Sequence, residues 1–157
     1  MNLYKQGRVK VIGVSNFNED ELLQLYDQCG EFPMINQTEI SPYNTQENLV
    51  RFCQEHNILV EAYSPFGRGN IVQSLLSNEI LVNIANKYKR TVGQIVLRWI
   101  VQRGIVVIAR STNRGRMLDN VNIFDFTLSE EDMCSVASLN SNLVYGVNQI
   151  NKKTIRL

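Results

Sequence analysis

The chain has 157 residues, 44% hydrophobic and 20% charged, with 16 Lys and Arg against 15 Asp and Glu. At that length it reads as one domain that buries roughly two-thirds of its unfolded surface. A formal net charge of +1 without basic or acidic runs excludes a nucleic-acid footprint. No apolar stretch approaches the roughly 20 residues of a membrane span, and the start, MNLYKQGRVK, has no signal-peptide core. Cys29, Cys53 and Cys134 have no metal-like spacing and cannot all pair within one chain, so they read as buried thiols in a reduced, cytoplasmic setting.

The first residues, Leu3-Tyr4-Lys5-Gln6 before Gly7, read as the last turn of a helix, as though a preceding part were missing. The apolar, β-branched run Val9–Phe17 then predicts a strand ending on Ser15 and Asn16. Asn18 and Glu21 have the spacing of a capping box, Leu22, Leu23 and Tyr26 form an apolar helical face, and Gly30 stops it. Pro33–Tyr43 is a second strand segment, carrying Gln37. Asn44 and Glu47 repeat the capping spacing before a helix with Leu49, Val50, Phe52 and Cys53 on its buried side and Asn57 as the stop. Ile58–Gly69 is the third strand segment, ending on Tyr63, Ser64, Phe66 and Gly67. The following GRGNIVQSLLSNE reads as a loop with a helical turn, and Ile80, Leu81, Ile84 and Ala85 mark a helix ending near Tyr88.

Thr91 with Gln94 caps the clearest helix. Its Val92, Ile95, Val96, Trp99 and Ile100 fall at i, i+3, i+4, i+7 and i+8. Gly104 terminates it, and Ile105–Ile108 is a fully apolar strand ending on Arg110 and Ser111. A short helix from about Asn113 to Asn120 and a last one opened by Ser129 with Asp132 complete the pattern. The tail from Ser141 lacks periodicity. Four strands alternating with helices predict an α/β fold with parallel pairing and right-handed crossovers. This is half of a (β/α)8 TIM barrel, which runs to about 250 residues. The predicted organisation is a single partial-barrel domain over 1–157, with 141–157 as an irregular tail.

Taken singly, Ser15 and Asn16 read as a polar strand cap, Gln37 as a satisfied buried amide, Tyr63 as a rim aromatic, and Arg110 and Arg116 as solvated charges. In a barrel the strand ends converge on one face. There Ser15, Asn16 and Gln37 offer neutral donors and acceptors suited to a carboxamide. Tyr63 offers a stacking face, Gly67 and Gly69 permit close approach of phosphate, and Arg110, Ser111 and Arg116 place cations and a hydroxyl where a helix begins. The set describes a nicotinamide dinucleotide phosphate.

The segments KVIGVSNF, NQTEISPY, EAYSPFGRGN, TVGQIVLRW, VVIARS with Arg116 and Asn120, and FDFTLSEEDM occur in one order from Gly7 to about Gly146. Together they resemble the second, C-terminal half of the aldo-keto reductase family, whose members bind NADP(H) across a (β/α)8 barrel and reduce aldehydes and ketones. The resemblance implies that Ser15, Asn16 and Gln37 hold the nicotinamide carboxamide and that Tyr63 stacks on its ring. It implies that Ser64, Phe66 and Gly67 begin the loop over the pyrophosphate, that Arg110, Ser111 and Arg116 hold the 2′-phosphate, and that Asn120 contacts adenine. Ala109-Arg110 stands where the family usually has Pro-Lys, and Asp119 where it usually has Glu.

The family's catalytic Tyr, Lys, Asp and His belong to the first half of the barrel. His56 reads as a helix-end residue, and Tyr4, Tyr26, Tyr43, Tyr63, Tyr88 and Tyr145 lack a Lys and Asp in a matching motif, so no catalytic residue is named. The expectation is a cofactor-binding segment, inactive in isolation, that would serve reduction of a small-molecule carbonyl substrate once completed by a first half. The tail resembles microbial and protist members, which hints at a small aldehyde or keto-sugar. The alternatives are a non-catalytic NADP-binding or scaffolding module that self-associates or pairs through open strand edges, or a truncated gene product.

Overall fold

The computed structural model describes residues 2–143, apart from the side chain of Asn2. Among them, a four-turn alternation places one parallel sheet, ordered β1-β2-β3-β4, under a layer of helices. The strands are β1 (Gly13–Ser15), β2 (Ile35–Glu39), β3 (Leu59–Tyr63) and β4 (Val106–Val107). The helices are α1 (Asn2–Lys5), α2 (Glu19–Cys29), α3 (Glu47–Glu55), α4 (Asn70–Leu76), α5 (Glu79–Tyr88), α6 (Val92–Gln102), α7 (Arg114–Val121) and α8 (Glu130–Ala137). Strand order that follows chain order is what successive right-handed βα units produce, and it is the arrangement of half a (β/α)8 barrel.

Local sequence explains most helix starts. Asn18 accepts from the Glu21 amide while the Glu21 carboxylate accepts from the Asn18 amide, and Thr91 and Gln94 repeat that reciprocity. Asn78, Asn113 and Ser129 cap α5, α7 and α8 with a single side chain each. Gly30 ends α2 at φ 74°, a left-handed conformation that costs glycine little.

Three expectations are corrected. Asn44 is not a helix cap: it bonds back to Ser41 through the backbone, and its side-chain amide donates to the Glu39 carbonyl at 2.9 Å. The helix instead starts after Gln46, which lies at φ 53° without a side-chain cap. The segment after Gly69 is the seven-residue α4, with Leu75 wholly buried, rather than a loop with one turn. The cysteines are not uniformly buried, since Cys53 is, Cys29 is half-buried and Cys134 is exposed.

The outer strands are shorter than their apolar runs, because among the described residues each is hydrogen-bonded along one edge only. Pairing confined to one side leaves Val9, Val11 and Ile108 exposed. On β3 the two faces diverge: Val60 and Ala62 are buried under the helices, whereas Leu59 is 45% exposed. The core between sheet and helices is filled by Trp99, Ile95, Ile100, Leu22, Leu81 and Leu75, with Arg103 stacked over Trp99 at 4.4 Å. Residues 141–143 lie against the β2–α3 turn, where the Ser141 and Leu143 amides donate to the Tyr43 carbonyl. The rest of the predicted irregular tail, with Tyr145, falls outside the described residues.

Candidate functional site

At the carboxyl ends of the strands lies an open cavity of about 1300 Å³. Asn16, Gln37, Tyr63, Ser64, Phe66, Gly67, Arg110, Ser111, Arg116 and Asn120 all line it, so the structure brings together the predicted site residues except Ser15 and Gly69. Ser15, exposed at the end of β1, is not part of the lining: its hydroxyl donates to the Gln37 main-chain carbonyl at 3.0 Å and accepts from the Asn16 side-chain amide at 3.1 Å. Pro65, Arg68, Val72, Leu76, Thr91, Val92, Gly93, Ile108 and Asp119 also contribute to the wall. Val72 and Leu76 come from α4, which the sequence pattern does not reveal as a helix, and Thr91, Val92 and Gly93 from the start of α6, far along the chain from the strand ends.

The backbone turns sharply as it leaves the strands. Asn16 sits at φ 59° and Ser64 at φ 50°, left-handed conformations that aim these side chains at the cavity mouth rather than along the sheet. Gly67, at φ 72°, lies so close to Ile71 that a Cβ would approach its Cγ2 to 2.7 Å. The loop over the cavity therefore closes tightly onto α4 at a position only glycine fills.

Side-chain hydrogen bonds tie the first three strand ends together. The Tyr63 hydroxyl donates to Asn16 Oδ1 at 2.8 Å, Asn16 Nδ2 donates to Ser15 Oγ, and Gln37 Nε2 donates to a Glu61 carboxylate oxygen. Burial, assisted by the nearby Glu39 carboxylate, pushes the Tyr63 hydroxyl above its usual range, so it stays protonated as the donor. Asn16 is left with one side-chain amide N–H, and Gln37 with its side-chain oxygen and its second amide N–H, for an occupant. Arg68 lies over the Tyr63 ring, 5.4 Å from its centroid, and donates to Ser64 Oγ at 2.9 Å.

Toward β4 the cavity changes character. Arg110 and Arg116 are exposed, and neither forms an ion pair among the described residues. They flank Ser111 where α7 begins, with Asn120 two turns along. The lining thus runs from neutral amides and a tyrosine at β1–β3 to two uncommitted guanidinium groups at β4.

A Tyr, a Lys and an Asp do come together elsewhere. Tyr88 donates to Asp132 at 2.6 Å and Lys87 pairs with the same carboxylate at 2.8 Å. None of the three lines the cavity. The Tyr88 hydroxyl also accepts from the Ser129 amide, so the group pins α8 to α5. His56 ends α3, its ring stacked on Phe52 and its Nδ1 against the Phe52 carbonyl. Among the described residues no group of His, Cys, Asp and Glu is placed to hold a metal ion, and no helix is long and apolar enough to cross a membrane.

The profile described as "Aldo/keto reductase family" matches residues 1–141, and the chain belongs to that family. It is 50% identical to Aldose reductase B of Dictyostelium discoideum over 141 residues, which are 90% of this chain and 45% of that protein. It is 43% identical to a 9,11-endoperoxide prostaglandin H2 reductase of Trypanosoma cruzi over 140 residues, 89% of this chain and 49% of the relative. Among solved structures, an aldo-keto reductase from a Medee basin deep-sea metagenome library superposes with a TM-score of 0.89 at 40% identity, covering 98% of this chain and 56% of that one. A mutant of Gox0644 in complex with NADPH superposes at 0.87 with 37% identity, covering 98% and 55%. The chain spans about half the length of the relatives it matches.

Proposed function

We propose that this chain supplies the NADP(H)-binding half of an aldo-keto-reductase-type oxidoreductase acting on aldehydes or ketones. The observation that carries the reading is the graded lining of one large cavity. The Asn16 and Gln37 amides, bonded to Ser15, Tyr63 and Glu61, stand at one side, and Arg110 and Arg116, without an ion pair among the described residues, stand at the other. The volume exceeds the roughly 300–1,000 Å³ of most small-molecule sites and suits a dinucleotide.

In this reading Asn16 donates to the carboxamide oxygen of nicotinamide and Gln37 accepts from its nitrogen. Ser15 acts indirectly, by holding Asn16. Tyr63 presents its ring face, once Arg68 has swung away from it. Ser64, Phe66 and Gly67 close over the pyrophosphate, where Arg68 brings a cation. Arg110, Ser111 and Arg116 hold the 2′-phosphate; a guanidinium fork replaces a lysine there without loss of charge. Asn120, beside Asp119, faces adenine. The bound nucleotide supplies hydride; this chain's residues orient and retain it. Relatives solved with NADPH and with NADP support the choice of cofactor.

The described residues place no proton donor beside the cavity in the company of a Lys and an Asp, since Tyr88 is committed to Asp132 on the helical side. These residues alone accordingly bind cofactor and turn over no carbonyl substrate. Activity belongs to the assembly formed with a second four-stranded unit, whether the preceding part of a longer polypeptide or another chain. The exposed Val11, Leu59 and Val106 on the uncovered sheet face support such a contact. A cytoplasmic location fits the three free thiols.

Titration with NADPH, followed by nicotinamide fluorescence, tests the first claim: saturable binding, far weaker for NADH, is expected. No response up to millimolar nucleotide contradicts it. Co-expression with the first half of Aldose reductase B tests the second. Aldehyde-dependent NADPH oxidation is expected from the pair and not from this chain alone.

A further inference from the structure

We infer that Glu61 is a positioning residue that fixes which way the Gln37 amide faces, and so makes the cavity select a pyridine nucleotide whose ring substituent carries an N–H. The inference rests on the reading of the cavity as a nicotinamide site and adds to it a residue outside the cavity lining.

The sheet register sets up the contact. Ser15, Gln37, Glu61 and Val106 are successive partners across β1, β2, β3 and β4, so Gln37 and Glu61 lie side by side on one face. Gln37 Nε2 donates to Glu61 Oε2. The direction of that bond is dictated chemically. An ionised carboxylate only accepts, so the amide must turn its nitrogen toward Glu61 and its oxygen away. On the β4 side the row continues with Val106, which offers Glu61 no side-chain hydrogen bond. On the β1 side, the Ser15 hydroxyl is spent on the Gln37 main-chain carbonyl and Asn16 Nδ2.

A glutamine without such a neighbour presents either its oxygen or its nitrogen to an occupant at the cost of a rotation. Here the rotation would set the amide oxygen against a carboxylate, leaving two acceptors face to face. The Gln37 amide oxygen is therefore held turned from Glu61, and that oxygen pairs with an occupant that donates. Asn16, whose Oδ1 is filled by Tyr63, is held as the complementary donor. The two together match a carboxamide, which accepts at oxygen and donates at nitrogen, and they penalise an acetyl group, which only accepts.

The test compares NADPH with reduced 3-acetylpyridine adenine dinucleotide phosphate in the wild-type chain, Glu61→Leu and Glu61→Gln. Wild type is expected to favour NADPH. Glu61→Leu should weaken NADPH about three- to tenfold while leaving the acetylpyridine analogue unchanged or tighter, since the freed amide turns to donate. Glu61→Gln, which still offers an acceptor oxygen, should keep most of the preference. A wild-type chain that binds neither nucleotide overturns the reading of the cavity, and the selectivity falls with it. A wild type that binds NADPH while Glu61→Leu keeps the same ratio overturns the role of Glu61 alone. The amide NMR spectrum of the free wild-type chain gives an answer that needs neither cofactor nor variant. The Gln37 side-chain NH2 should exchange slowly and resonate away from the other glutamines, and a solvent-like signal there overturns the positioning.

Discussion

The two faces of the sheet obey different rules. On the helix-covered face, Val60 and Ala62 are buried, Trp99 is 1% exposed, and Asp132 Oδ2 accepts from Lys87, Tyr88 and Ser129. On the opposite face, Leu59 and Val106 meet solvent, β1 and β4 have one bonded edge each among the described residues, and the polar strand-end residues line a cavity. The covered face is organised for stability and is complete in itself. The opposite face holds the residues fit for a ligand and, among the described residues, leaves its own apolar groups exposed, so stability and binding are separable by mutation.

Trp99→Ala should cause the largest loss on the covered side, about 3–5 kcal/mol in urea unfolding, because it leaves a cavity beneath Arg103 and removes the bond to the Met133 carbonyl. Asp132 should come next and should show itself through pH. Burial opposes its charge, yet hydrogen bonds from Lys87, Ser129 and Tyr88 hold its pKa down at about 2 against an ordinary 3.8. Its contribution is therefore fully present above about pH 4 and is lost as pH falls through about 2. Asp132→Asn should melt below wild type at neutral pH, with the gap closing toward pH 2; a gap independent of pH would remove the charge from the explanation. Thr91→Ala should cost about 1 kcal/mol by freeing the first amides of α6. Leu59→Ser, on the uncovered face, should change the stability of the free chain by no more than about 0.5 kcal/mol. A loss as large as that of Trp99→Ala would mean that this face is already covered, and self-association measured by sedimentation would then identify the cover.

The same division explains what could be read from the sequence. Helix starts at Asn18 and Thr91 were legible because a cap and its partner lie three residues apart. Asn44-x-x-Glu47 carries the same signal and misleads, since Asn44 is captured by the Glu39 carbonyl across a turn that spacing does not reveal. The lengths of β1 and β4 depend on neighbours rather than on their own apolar runs, so those runs overstate them. The strand-end residues were legible because each ends an obvious β-branched segment. Glu61 was not, since its partner Gln37 lies 24 residues away and appears only once register is known. Nor was the grouping of Tyr88 and Lys87 with Asp132, 44 and 45 residues along.

Mapping NADPH onto the free chain by the shifts of its backbone amide resonances tests the central claim most directly. Saturable changes are expected at Asn16, Gln37, Tyr63, Ser64, Ser111 and Arg116, with α8 and the residues around Trp99 unmoved. Changes confined to the α5–α8 side, or none at saturating nucleotide, would contradict it.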